Sequence, residues 1–212
     1  MKSFTTGCGR YLGLFLLFAV LLARGWLVGG ERVEYTAVNP PIQNTNIKRE
    51  PVAWQRAGYT WRIYPKASYK IAARVLHRRA YDDWQADFVP LDLALGWGEI
   101  VDSRVDRWIT WEQSDRWYFY QWSTRGPLSG DYIREHSANV HIIPATDTLA
   151  IALRQLEAND VIQLEGLLVD LEGEENGKTQ LFRTSLSRTD SGEASCEILY
   201  VEKLLVDGKV YQ

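Results

Sequence analysis

Cys196 lies at the end of the stretch SLSRTDSGEASCE (185–197), next to its last residue, and about fifty residues upstream lies HSANVHIIPA (136–145). A cysteine becomes a nucleophile when a base takes its proton and a third group orients that base. His141 can be the base, and Asn139 or Asp190 can be the orienting group. Asn139 and His141 stand two apart, so a strand puts both on one face. The same residues have plainer uses. Arg188 and Asp190 can pair across a turn while Cys196 opens a buried strand, and His141 can be a satisfied structural histidine. No family-specific nucleophile signature surrounds Cys196. His136 and His141 are five apart, which suits neither one helical nor one strand face, so a zinc pair is disfavoured. A third segment, LDLALGWG (91–98), combines with Gln113, Arg116, Trp117 and Tyr118 to offer aromatic and polar groups for a carbohydrate or peptide groove. Core packing is the alternative for these tryptophans. The binding candidates are Arg188, Asp190, Trp97, Arg116 and Trp117. No phosphate-cradling glycine loop, dinucleotide fingerprint, CxxC, HExxH or nucleophile elbow occurs, and no metal or cofactor is implied.

These groups need a scaffold, and 212 residues supply one ordinary domain with a tail. Hydrophobic residues at 46% and charged residues at 24% exclude a collagen-like, wholly disordered or polytopic membrane chain. Two cysteines exclude a disulfide-stapled scaffold. Nine Trp, eleven Tyr and six Phe give either a large core or an aromatic surface.

Residues 1–30 read as an export signal. Lys2 and Arg10 precede the apolar run YLGLFLLFAVLLA (11–23), followed by Arg24 and GWLVGG (25–30). Two forms fit: a signal anchor crossing the inner membrane through residues 11–28, or a signal cleaved near Gly30. Both place the basic end inside and the rest of the chain outside the cytoplasm, in the periplasm if the cell is Gram-negative. In the anchor form Cys8 stays on the other side of the membrane from Cys196. Residues 31–50, with Pro40 and Pro41, read as a flexible linker. Residues 51–212 read as an extracytoplasmic β-rich domain.

Without the three cations of residues 1–30, the remainder holds 21 basic and 27 acidic groups. That balance argues against nucleic acid as a partner. Charge is nevertheless segregated: residues 48–79 carry nine Lys/Arg and one acid, and residues 157–175 carry seven acids and no base. The two segments can be solvated faces that partly meet, or the basic one can touch a polyanion or lipid headgroups.

Within the domain, residues 59–64 read as a strand. Residues 69–79 read as a strand with Tyr69, Ile71, Ala73, Val75 and His77 on one face. Residues 88–98 read as a loop punctuated by Pro and Gly. Residues 109–122 read as a hairpin turning at Ser114–Asp115, and 140–143 as a short strand. Thr146 can cap a helix over 146–158 whose face is Leu149, Ala152, Leu153 and Leu156, and Asn159 suits its left-handed stop. Strands follow over 161–171, 180–186 and 196–206, the last turning at Asp207–Gly208 into 209–211. The sum is about seven strands and one main helix: a mainly β, α+β domain, of the kind that forms a small OB-like barrel.

The runs PLDLALGWG (90–98), EQSDRWYFY (112–120), SANVHIIPA (137–145), NDVIQLEGLLVD (159–170) and SLSRTDSGEASCEILYVE (185–202) resemble a group of bacterial exported or membrane-anchored proteins. The resemblance covers roughly 55–205 and rests most on SANxHxIPA and SRxDxGxxxCE. It implies one coherent domain and an envelope location, and it assigns no catalytic residue. The leading expectation is a membrane-tethered binding or scaffolding module with an envelope protein partner. The alternatives are a thiol enzyme built on Cys196, His141 and Asn139, and polyanion or headgroup binding by residues 48–79.

Overall fold

The computed structural model describes residues 37–212, apart from 57–58, 176–177, 188–189, 191 and 193–194. The expected signal or anchor, the first part of the expected linker, and Arg188 lie outside the described residues. Among the described residues, no helix is long and apolar enough to cross a membrane.

The domain is organised around one strand of 22 residues. β1 (Ile42–Asn44) and β2 (Val52–Arg56) lead into β3 (Tyr59–Ala80). β4 (Leu91–Gly96) follows, then the short helix α1 (Ser103–Asp106) and the hairpin β5 (Ile109–Ser114) and β6 (Trp117–Trp122). Next come α2 (Gly130–Glu135), β7 (Ser137–Pro144), α3 (Asp147–Arg154) and β8 (Val161–Glu175). β9 (Lys178–Phe182), β10 (Glu197–Val206) and β11 (Lys209–Tyr211) end the chain. One edge of β3 pairs with β8 from Thr60 to Arg74. The other edge meets β2, β1 and β4 in turn. β4 continues to β7, β7 to β10, and β10 to β8, which is already β3's neighbour. Of these pairings only β7–β10 is parallel.

Period-two alternation explains the core. Ala67, Tyr69, Ile71, Ala73 and Val75 of β3 face inward with Leu91, Leu93 and Leu95, with Val140 and Ile142, and with Leu199 and Val201. α3 covers this core with Leu149, Ala152 and Leu153; Thr146 caps it by accepting from the Leu149 amide, and Asn159 takes the left-handed conformation at φ 84°. The helix stops at Arg154, earlier than expected, while Leu156 still packs into the core.

Five expectations are corrected. Residues 88–98 are not merely a loop, because Leu91–Gly96 is a strand. All six of its residues are buried, so no alternation marks it in the sequence. The expected linker is structured from Ala37, which is buried, through β1, whose Gln43 pairs with Tyr69. The hairpin turns one residue later than expected: Ser114 pairs with Trp117, and Asp115 and Arg116 both have positive φ, a type I′ pattern. His77 does not share the face of Val75. A bulge between them re-aims its side chain to the opposite face, where Nδ1 meets Gln113 Oε1 at 2.9 Å. The strands number eleven among the described residues, more than the seven expected, because β4 and the short edge pieces carry little periodic signal.

The two charge-segregated segments face each other across the β3–β8 ladder. Arg62 lies 3.7 Å from Glu172, Lys66 3.6 Å from Asp170, and Lys70 3.0 Å from Glu165. Cross-strand pairing of opposite charges therefore absorbs much of the basic stripe.

Candidate functional site

On β4, β7 and β10, the face away from the core carries the polar residues. Asp92 pairs directly with His141 across β4 and β7. In the parallel pairing of β7 and β10, Glu197 stands opposite Val140 and Ile198 opposite His141. One step back along the chain sets Cys196 beside Asn139. An acid and an imidazole thus pair across β4 and β7, and a thiol stands near them just before β10.

The contacts follow this register. His141 Nδ1 lies 2.8 Å from Asp92 Oδ1. Cys196, at the start of the neighbouring strand, is the other group that acts on the ring. Asn139 Nδ2 points at Cys196 Sγ from 3.7 Å and also donates to the Arg116 carbonyl at 3.1 Å. Its Oδ1 accepts from Gln113 Nε2 at 2.6 Å, so the amide orientation is fixed from both ends. Asp92 is wholly buried. Burial pulls the His141 pKa down, but the hydrogen bonds to Asp92 and Cys196 and the charge of those groups outweigh it and raise it to about 10. His141 is therefore an imidazolium at neutral pH.

A second layer holds Asp92. Arg116 Nη1 sits 3.7 Å from Asp92 Oδ1 and donates to the Val89 carbonyl at 2.7 Å, while Nη2 donates to Asp83 Oδ1 at 2.6 Å. The guanidinium lies over the Tyr81 ring, 3.7 Å from its centroid. Burial, with Asp92 nearby, pushes the Tyr81 phenol up, so it stays protonated. The network is flanked by two apolar clusters. Trp61, Phe88, Val89, Ile143 and Ile198 lie on one side, and Leu76, Ala94, Ile100, Ile109 and Ile133 on the other.

Cys196 is partly exposed and opens onto a cleft of about 190 Å³. The cleft is walled by Trp97, Trp117, Tyr118 and Tyr120, with Asn139 beside the thiol. Burial raises the Tyr118 phenol to about 12, and its hydroxyl lies 3.3 Å from Ser137 Oγ. Asp190 also lines the cleft and accepts from Ser185 Oγ at 2.6 Å.

The expected site residues thus divide. Cys196, His141 and Asn139 come together. Trp117 and Asp190 line the cleft. Trp97 is 2% exposed, a packed wall residue more than a free binding group. Arg116 acts behind the site, on Asp92. The acid in contact with His141 is Asp92, where Asn139 or Asp190 had been expected as the orienting group. It was concealed because LDLAL sat in an assumed loop; a lone acid in an otherwise apolar run was the available signal. His136 and His141 have separate partners: His136 Nδ1 meets the Tyr132 carbonyl at 2.9 Å. Among the described residues, no group of three or more His, Cys, Asp or Glu is arranged to hold a metal ion. Asp92, His141 and Cys196 form a series, with imidazole between acid and thiol, and do not converge on one point.

No family model, curated protein or solved structure matches this chain.

Proposed function

We propose that this domain is a thiol-dependent acyl-transfer enzyme in which Cys196 is the nucleophile, His141 holds its proton and Asp92 orients the imidazole. The observation that carries the reading is the Asp92–His141–Cys196 series ending at a cleft. The attacking species is the thiolate, so a nucleophilic cysteine needs a neighbouring group that can hold its proton. The carboxylate fixes the ring and stabilises its positive form, as an acid does in any nucleophile–base–orienter set. Asn139, fixed by Gln113, adds an N–H donor beside the sulfur.

The pairings that return from β8 to β3 support an OB-like barrel. Its five strands would be β3, β4, β7, β8 and β10, with α3 between the third and fourth. In that fold the face of the second and third strands is a recurrent binding surface, and here Asp92, Asn139 and His141 lie on β4 and β7. Fold alone does not set the chemistry. The export signal read in residues 1–30 supports an enzyme tethered at the outer face of the inner membrane.

A single-turnover test uses the full chain in detergent with p-nitrophenyl acetate. One acetyl group is expected on Cys196. It should be absent from Cys196→Ala and form at least tenfold more slowly in His141→Ala. A Cys196→Ala protein that retains the burst, or a His141→Ala protein at full rate, overturns the reading.

The exposed aromatics of β6 favour a second reading, the binding module. Trp117, Phe119 and Trp122 are 38%, 52% and 43% exposed on a two-stranded hairpin, a surface suited to an envelope protein partner.

A further inference from the structure

The thiol and the imidazole of the site face different surroundings. Cys196 and Asn139 line the cleft, whereas His141 is not among the described residues that line it. His141 is held by Asp92 at 2.8 Å, stands on the strand beside the one that Cys196 opens, and its side chain is 17% exposed. From behind the sulfur, an imidazole can keep the proton of the thiol. It is badly placed to hand a proton to a group departing on the cleft side. An amine or alkoxide leaving group needs that proton as it departs. A thiolate does not, since its conjugate acid has a pKa of only about 8.5.

Resting on the reading of Cys196 as nucleophile, we infer that the substrate class is a thioester. The Cys196 sulfur forms a bond to the carbonyl carbon while the thioester C–S bond breaks. The departing thiolate carries away the electron pair and takes its proton from water. The proton of the Cys196 thiol stays on His141. One acyl group is then attached to Cys196 and one free thiol is released, with no change in oxidation state. The acyl group next passes to water or to a second thiol.

The lining of the cleft narrows the class. Trp117, Tyr118 and Tyr120 provide rings for an apolar or aromatic acyl group. Among the described lining residues, two carboxylates, Asp190 and Glu197, stand against one cation, Arg134, which pairs with Asp131. That charge balance favours an uncharged or cationic donor over a phosphorylated one.

The test uses the full chain in detergent with three phenylacetyl donors: the N-acetylcysteamine thioester, the trifluoroethyl ester and the ethylamide. Acylation of Cys196 is followed by intact mass and peptide mapping. Each rate is divided by the rate of the same donor with free N-acetylcysteine at the same pH. The thioester is expected to lead the ester at least tenfold after this normalisation, and the amide to give no adduct. A normalised advantage below tenfold overturns the inference. If p-nitrophenyl acetate acylates Cys196 but the thioester does not, the thioester class is wrong and the nucleophile stands. If neither modifies Cys196, the nucleophile itself is wrong.

Discussion

Asp92→Asn removes one charge from a buried set and leaves its shape nearly unchanged. In the wild type, Asp92 Oδ1 holds His141 Nδ1 at 2.8 Å, and the imidazole pKa stands at about 10 against an ordinary value of 6.5. A folded-state pKa above the unfolded one contributes stability that is full below pH 6.5 and is lost as pH rises through 10. At pH 7 that displacement corresponds to on the order of 4 kcal/mol, shared by Asp92 and Cys196. Without the carboxylate, burial is the main influence left on the ring, and it favours neutral imidazole. The expected loss at pH 7 is about 3 kcal/mol, in line with breaking a buried pair from one side. With a urea m-value of about 2 kcal/mol/M, the midpoint moves down by about 1.5 M. Urea melts at pH 7 and pH 10.5 provide the assay. At the higher pH the wild type has lost the His141 contribution, so the gap between the two proteins should shrink by more than half. A variant midpoint within about 0.3 M of wild type at pH 7, or a gap that ignores pH, refutes the reasoning.

The other predictions concern the scaffold and the cleft. At Gly166, a Cβ would lie 2.0 Å from the Tyr200 carbonyl oxygen, so Gly166→Ala should separate β8 from β10 and cost more than about 3 kcal/mol, read by thermal or urea melts. Leu153 is 1% exposed in the main core, and Leu153→Ala should cost about 2–5 kcal/mol in the same assay. Thr146→Ala removes the cap on the Leu149 amide and should cost about 1 kcal/mol. Trp117 lines the cleft but is 38% exposed, so Trp117→Ala should slow acylation of Cys196 at least threefold while leaving the urea midpoint within about 0.3 M.

Much of the framework is legible in the chain because its elements carry local signals. The helix over Asp147–Arg154 has a capping Thr146 and one apolar face, and the last hairpin has Asp207–Gly208 with positive φ at both positions. The alternation of Tyr69, Ile71, Ala73 and Val75 identifies β3 up to its bulge. What failed was long-range or two-sided. β4 is buried on both faces, so its pattern is a plain apolar run broken by Asp92. The bulge after Val75 flips His77, and nothing local announces it. For the site, Cys196, His141 and Asn139 could be nominated by residue type. Their meeting depends on the parallel register of β7 and β10, strands 52 residues apart between Pro144 and Glu197 in the chain, and such pairing leaves no trace in local sequence. Asp92 was concealed with its strand, and Arg116 reached the shortlist as a binding group when its contacts place it behind the acid.

On the proposed mechanism, His141 and Asp92 make Cys196 an unusually ready nucleophile. The most direct measurement is the second-order rate of iodoacetamide alkylation of Cys196 in the full chain at pH 6.5, mapped by peptide mass so that Cys8 is scored separately. The wild-type rate should exceed that of a peptide spanning 190–202 by at least tenfold. It should fall to the peptide's rate in His141→Ala and lie between the two in Asp92→Asn. Equal rates for wild type, His141→Ala and the peptide would contradict the account.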